Sequence, residues 1–241
     1  MLKKVLLLML GLCLVVAIAA PVRAGDDKDK TGFSDDNKYT DYRYGFEIRV
    51  PDDWKIGKPK KEPNCQRIVA EKKNARIPPQ LQDDPSWATR PTLMIFADST
   101  KLTPNEFFAF LQSDTTDSEL KKQIIKSTVL MDLYARHKFD VLLQTPTTLG
   151  GITGLQLKLR RQYEAQGTQL GDDRPMTIKD FVSGYVYLLQ GDGWLCYIEL
   201  ACENQFLPVL EETFAEIIGS FTCPKAEQPA GTKAEEEPSE G

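Results

Sequence analysis

The chain reads as an α+β protein: a central antiparallel β-sheet flanked by α-helices. Three observations predict this class. Apolar residues alternate with polar ones in several segments, the period of a strand with one buried face. The late segments follow one another through short turns rich in Gly and Asp, which makes neighbouring strands antiparallel. Stripes of helical spacing separate the early strands from the late ones and close the chain, so helices must cover the faces of the sheet.

Tyr42, Tyr44, Phe46, Ile48 and Val50 alternate with Arg43, Gly45, Glu47 and Arg49, predicting a first strand that Pro51-Asp-Asp53 ends just before Trp54. Further strands are expected at Gln66 to Glu71 and Thr92 to Ala97. Between them Lys72 to Arg90 has little pattern and holds several prolines, so it reads as an excursion over the surface. Thr103-Pro-Asn-Glu106 carries a helix start: a Thr cap, Pro at the first helical position and a Glu able to reach back to the cap amide. Phe107, Phe108, Phe110 and Leu111 supply its apolar side. A second helix is predicted from Ser118 to about Lys126, with Leu120, Ile124 and Ile125 inward and a continuation toward Ala135.

From Asp140 the period returns to two. Asp140 to Thr145 reads as a strand and Gly150-Gly151 as a turn. Leu155, Leu157 and Leu159 then alternate with polar residues in a long strand reaching Tyr163, and Ala165 to Pro175 reads as a polar turn region. Phe181 to Leu189 and Trp194 to Leu200 flank Gln190-Gly-Asp-Gly193, a hairpin signal, because Gly and Asp tolerate positive φ. Asn204 is the expected cap of a last helix, Gln205 to Ile218, striped by Phe206, Leu210, Phe214, Ile217 and Ile218.

The first 24 residues have the form of a secretory signal peptide: Lys3 and Lys4, the apolar run Val5 to Ala20, and small residues at Val22-Arg-Ala24. The run is 16 residues long, short of the roughly 20 that an uncleaved anchor needs. Cleavage after Ala24 is expected, with no stable membrane insertion afterwards and a periplasmic or secreted location. Residues 25–38 and 224–241 are rich in charge, Gly, Pro and Ser and are expected to be a disordered linker and a disordered acidic tail. One domain, 39–223, remains. Without the signal the chain has 27 basic against 35 acidic residues, a poor balance for binding nucleic acid through bulk charge.

Cleavage leaves Cys65, Cys196, Cys202 and Cys223, an even number that favours disulfides in an oxidising compartment. Zinc is the rival reading, but the short paired spacing is missing and His137 is the chain's one histidine. Cys196 and Cys202 stand nearly 20 Å apart if the strand stays extended at about 3.3 Å per residue, too far to bridge. Cys65 and Cys223 lie at the outer edges of the domain beside proline-bearing loops and are the expected pair.

Tyr44-Gly-Phe46-x-Ile48-x-Val50-Pro51-x-x-Trp54, the Leu149-Gly-Gly151-x-x-Gly154 turn ahead of a long strand, the hairpin ending in Cys196-Tyr-Ile198, and the closing Phe214-x-x-Ile217-x-x-Ser220-Phe221 together resemble the PsbP-like fold. The resemblance covers about Tyr39 to Cys223. It implies a PsbP-like α/β/α sandwich, in general a non-catalytic accessory or binding role, and no catalytic residues to carry over; separately, no cofactor is expected.

The residues themselves leave few candidate sites. His137 sits among charges at a helix end, where a solvated residue is the simpler reading than a catalytic base. The pairs Asp35-Asp36, Asp52-Asp53, Asp83-Asp84 and Asp172-Asp173 invite a calcium site, but none has EF-hand spacing and each is more simply a turn former. Tyr39, Tyr42, Tyr44 and Trp54 suit a ligand groove or, more simply, a core. Trp87, a large apolar residue in a polar excursion, either staples that loop down or marks a contact surface. The expected function is therefore an exported, non-enzymatic protein that binds or assists another envelope or exported protein. The alternative is an exported hydrolase or metal-dependent enzyme whose site is assembled from scattered carboxylates.

Overall fold

The computed structural model describes residues 32–35, 37–57, 64–75, 90–115, 117–131, 139–169 and 172–224. Ten strands run in chain order: β1 Gly32–Asp35, β2 Lys38–Asp41, β3 Glu47–Arg49, β4 Trp54–Ile56, β5 Gln66–Lys72, β6 Thr92–Ser99, β7 Phe139–Leu149, β8 Ile152–Gln169, β9 Asp172–Gln190 and β10 Trp194–Glu203. Three α-helices join them: α1 Pro104–Gln112, α2 Glu119–Ser127 and α3 Leu207–Gly219. The strands form a small sheet ordered β1-β2-β3 and a seven-stranded sheet ordered β4-β5-β6-β10-β9-β8-β7. Every pairing is antiparallel, so the described residues have the predicted α+β composition with few helices.

All ten residues of β10 are buried, and successive side chains enter different cores. Cys196, Ile198, Leu200 and Cys202 join a cluster with Tyr39, Phe46 and Ile48 of the small-sheet segment and Leu210, Phe214 and Ile217 of α3. Leu195, Tyr197 and Ala201 join the other, with Phe107 and Leu111 of α1 and Leu120 and Ile124 of α2. Each such Leu, Ile or Phe contributes about 1.5–3 kcal/mol by leaving water. Gly184 lets β9 approach β10 closely; a Cβ there would lie 1.9 Å from the Leu200 carbonyl oxygen.

The helix starts follow the sequence. Thr103 Oγ1 accepts from Glu106 N, and Glu106 Oε2 accepts from Thr103 N at 2.8 Å, closing the capping box. Ser118 caps α2 by accepting from Lys121 N.

Five expectations need correction. Tyr42 to Tyr44 form a turn rather than a strand: Asp41 Oδ1 accepts from Arg43 N (3.0 Å) and Tyr44 N (2.8 Å), and Gly45 has φ 73°. The expected linker already contains β1, whose backbone pairs with β2 despite its polar composition, with Gly32 against the Tyr39 ring. Helix α2 stops at Ser127, where Thr128 turns extended and its Oγ1 donates to Ile124 O. Ala165 to Pro175 is mostly strand, because β8 and β9 share a register from Gly154↔Leu189 to Gln169↔Asp172 that carries pairing through polar residues. Asn204 caps nothing; its Oδ1 accepts from Ser183 Oγ, and α3 begins after a 3₁₀ turn with Pro in its first turn.

The end of the chain returns to its beginning. Thr222 exchanges two backbone hydrogen bonds with Glu47 (2.8 and 3.0 Å), and Arg49 N donates to Ser220 Oγ at 2.8 Å. Gly150, at φ 52°, packs against the Thr222 and Cys223 backbone, where a Cβ would come within 2.8 Å.

Candidate functional site

β7 lies at one end of the seven-stranded sheet and, among the described residues, pairs with β8 alone. Phe139 is partly buried against the α1 and α2 core, and Arg160 holds Asp140 through two nitrogens at 2.7 and 3.2 Å. Beyond this anchor Val141, Leu142 and Leu143 are 41, 49 and 43% exposed. The register slips between Val141 and Leu143, so both sides of the strand present apolar groups there. From Val141 to Leu149 no residue is charged. A bulge and Pro146 both oppose the addition of another strand to this edge. The feature on offer is therefore a short apolar patch of side chains.

The second feature is internal. Glu199 lies in the middle of β10, between Met94 of β6 and Val186 of β9, and is 1% exposed. Its Oε2 accepts from Tyr197 Oη at 2.5 Å, and its Oε1 accepts from Val129 N at 3.2 Å and Leu130 N at 3.5 Å. Burial pushes its carboxyl up to about 7, and the hydrogen bonds from Tyr197, Leu130, Val129 and Thr128 oppose that rise. Arg161 Nη1 donates to Val129 O at 2.7 Å, and Tyr163 Oη lies 2.9 and 3.0 Å from the two oxygens of buried Glu203. Glu199 and Arg161 pin the chain leaving α2 onto the sheet.

The third feature joins the two sheets. Arg67 Nε of β5 donates to Asp41 Oδ2 of β2 at 2.6 Å, with both side chains fully buried. Tyr39 Oη donates to the same oxygen at 2.8 Å, and the guanidinium lies 5.1 Å from the centre of the Tyr44 ring. With its charge matched and Nη1 donating to Asn64 O (3.2 Å), this pair is a fastening rather than a reactive centre.

The residues singled out by the sequence do not come together. Trp87 and His137 lie outside the described residues, as do Asp36, Asp83 and Asp84, residues 1–31 with the signal segment, and 225–241. The expected Cys65–Cys223 bridge is absent: no disulfide joins any two of Cys65, Cys196, Cys202 and Cys223, and all four are buried. Cys65 packs in the α1 and α2 core and Cys223 in the α3 core, so the large sheet lies between them. Position near the ends of a domain does not tell which face of the sheet a side chain enters. Cys65 Sγ instead donates to Asp98 Oδ2 at 3.1 Å, and burial followed by that carboxylate pushes the thiol up to about 12. Tyr39, Tyr44 and Trp54 are core and Tyr42 is exposed, so the four do not line a groove. Asp52-Asp53 sit in a turn, where Asp53 pairs with Lys72. Among the described residues no group of three His, Cys, Asp or Glu side chains converges to hold a metal.

Sequence reasoning passed over Arg67, Arg161, Glu199 and Glu203. A signal was present: charged residues inside runs as apolar as Trp194-Leu-Cys-Tyr-Ile-Glu-Leu-Ala-Cys-Glu203 must find internal partners.

No family model matches the sequence, and no curated protein matches it. Solved structures do. The solution structure of cyanobacterial PsbP (CyanoP) from Synechocystis sp. PCC 6803 is similar at 12% identity, covering 85% of this chain and 99% of that one, with a TM-score of 0.45. LpqN, involved in cell envelope biogenesis of Mycobacterium tuberculosis, is similar at 13% identity over 73% of this chain and 82% of its own, with a TM-score of 0.39. A protein of unknown function from Pseudomonas aeruginosa, described as a putative regulator, is similar at 10% identity over 72 and 88%, with a TM-score of 0.32.

Proposed function

We propose that the chain is an exported, non-catalytic accessory protein of the cell envelope, a PsbP-like α/β/α sandwich that docks another exported protein on β7. The observation that carries this reading is the exposed Val141-Leu142-Leu143 run on a strand at the end of the large sheet. The form of the first 24 residues supports export. No helix among the described residues is long and apolar enough to cross a membrane. The non-catalytic reading is supported by the use made of the buried acids: Asp41 holds Arg67 and Tyr39, Glu199 holds Tyr197 and two backbone amides, and Glu203 holds Tyr163. The rival hydrolase draws on Glu199, whose ionisation near neutrality suits an acid catalyst, but its carboxyl is buried and bound to the backbone of the chain leaving α2.

The test is crosslinking of tagged protein, exported in its own host, with the wild type compared with Leu142→Asp/Leu143→Asp. A protein adduct that the double variant loses while keeping its fold supports the reading. An identical adduct pattern from both overturns it.

A further inference from the structure

We propose that Glu199 and Arg161 clamp the backbone at Thr128–Leu130 to the sheet, and that this clamp loosens as pH rises from acid to neutral. The geometry is a pincer. Glu199 of β10 receives the Val129 and Leu130 amide protons, and Arg161 of β8 donates to the Val129 carbonyl. Side chains from two strands thus bind both the donors and the acceptor of one short stretch of chain just beyond α2. Backbone held this way has no ladder of its own to fall back on.

Opening the stretch admits water to Glu199, which then loses its proton at the pH of an ordinary carboxylate, about 4.5 against about 7 when closed. Opening therefore releases a proton. The open fraction grows by up to about tenfold per pH unit between those values and levels off above them. Other ionisable groups on this side of the sheet are engaged elsewhere. On β10, Tyr197 touches Glu199 directly and Glu203 binds Tyr163 of β8. On α2, Lys121 Nζ is held by Phe110 O and by Ser113 O at 2.8 Å. Cys65, just before β5, and Asp98 of β6 pair with each other, and Asp98 lies opposite Leu195, four residues along β10 from Glu199. Arg161 of β8 faces the same stretch through the Val129 carbonyl.

Amide hydrogen exchange, followed residue by residue from pH 4.5 to 7, tests the clamp. Base catalysis alone speeds any amide about tenfold per pH unit, and opening linked to one proton adds up to about tenfold more. Val129 and Leu130 should therefore show a slope of log rate against pH close to twice that of an ordinary amide in the wild type, and an ordinary slope in Glu199→Gln. The amide side chain of Gln keeps an acceptor for the backbone and a donor for Tyr197 while removing the charge. An ordinary slope in the wild type overturns the proposal. So does a steep slope shared equally by Ile95 and Ile198 in the sheet, since the proton would then be linked to the whole fold. Should Glu199→Gln not fold, Tyr197→Phe removes the bond that favours the charged carboxylate, and the steep range should extend to higher pH; an unchanged range overturns the proposal.

Discussion

Arg67 and Asp41 meet at 2.6 Å with neither side chain reaching solvent, and because one belongs to β5 and the other to β2 their contact couples the two sheets. A buried pair of this kind adds little net stability against apolar replacements of the same shape, but breaking it leaves a charge without a partner. Arg67→Met should therefore lower stability by about 3–5 kcal/mol in urea unfolding. A loss under about 1 kcal/mol would show that water, not Arg67, compensates Asp41.

Glu199 sets a pH dependence of definite sign. Its folded carboxyl ionises at about 7, above the ordinary value of 4.5, so the stability tied to its proton is complete below about 4.5 and is lost as pH rises through 7. The upper bound is about 3 kcal/mol. Glu47, held low mainly by its hydrogen bond from Lys38, acts in the opposite direction at lower pH, so the informative quantity is the difference between wild type and Glu199→Gln. That difference should change across pH 4.5 to 7 and stay constant above. A constant difference throughout would contradict the assignment.

The thiols should be silent in the folded protein. Cys65 and Cys202 are each pushed up to about 12 and Cys196 well above its ordinary value, burial being the first cause in each case. The thiolate is the reactive form. Native protein at pH 8 should titrate with far less than one equivalent of a thiol reagent, and protein in urea should show Cys65, Cys196, Cys202 and Cys223 together. Rapid labelling of the native state would mean that a core opens readily.

A chain starting at Tyr39 should be less stable than one starting at Thr31, although the removed residues are polar. Trimming takes away β1, with the backbone pairing that covers β2, and the Lys38–Glu47 ion pair at 2.6 Å. Parallel thermal melts of the two chains decide the matter, and equal midpoints would count against a structural role for β1.

Local chemistry was legible where it acts within a few residues. The Thr103 and Glu106 box names its own helix start, and Gln190-Gly-Asp-Gly193 names its own hairpin. Legibility failed where a distant partner overrides the local pattern. The alternation from Tyr42 to Val50 looks like strand throughout, yet Asp41, fixed by Arg67 twenty-six residues away, gathers the first amides into a turn. Polar residues near Thr168 look like loop until a strand of matching length lies opposite. The β7 patch was hidden for a related reason: Asp140 to Thr145 reads simply as a strand, and only the order of strands puts Val141, Leu142 and Leu143 at an end of the sheet.

The pairing of Thr222 with Glu47 gives the chain a direction in time. The third strand of the small sheet finds its last backbone partner in residues made some 170 positions later, and Ser220 meets Arg49 across 171. A nascent chain that has delivered every strand still lacks this closure until its final described residues emerge. Contacts of such separation form late and slowly. Synthesis can thus run nearly to its end before the small sheet is sealed, and a chain cut short of Thr222 leaves that edge of β3 open.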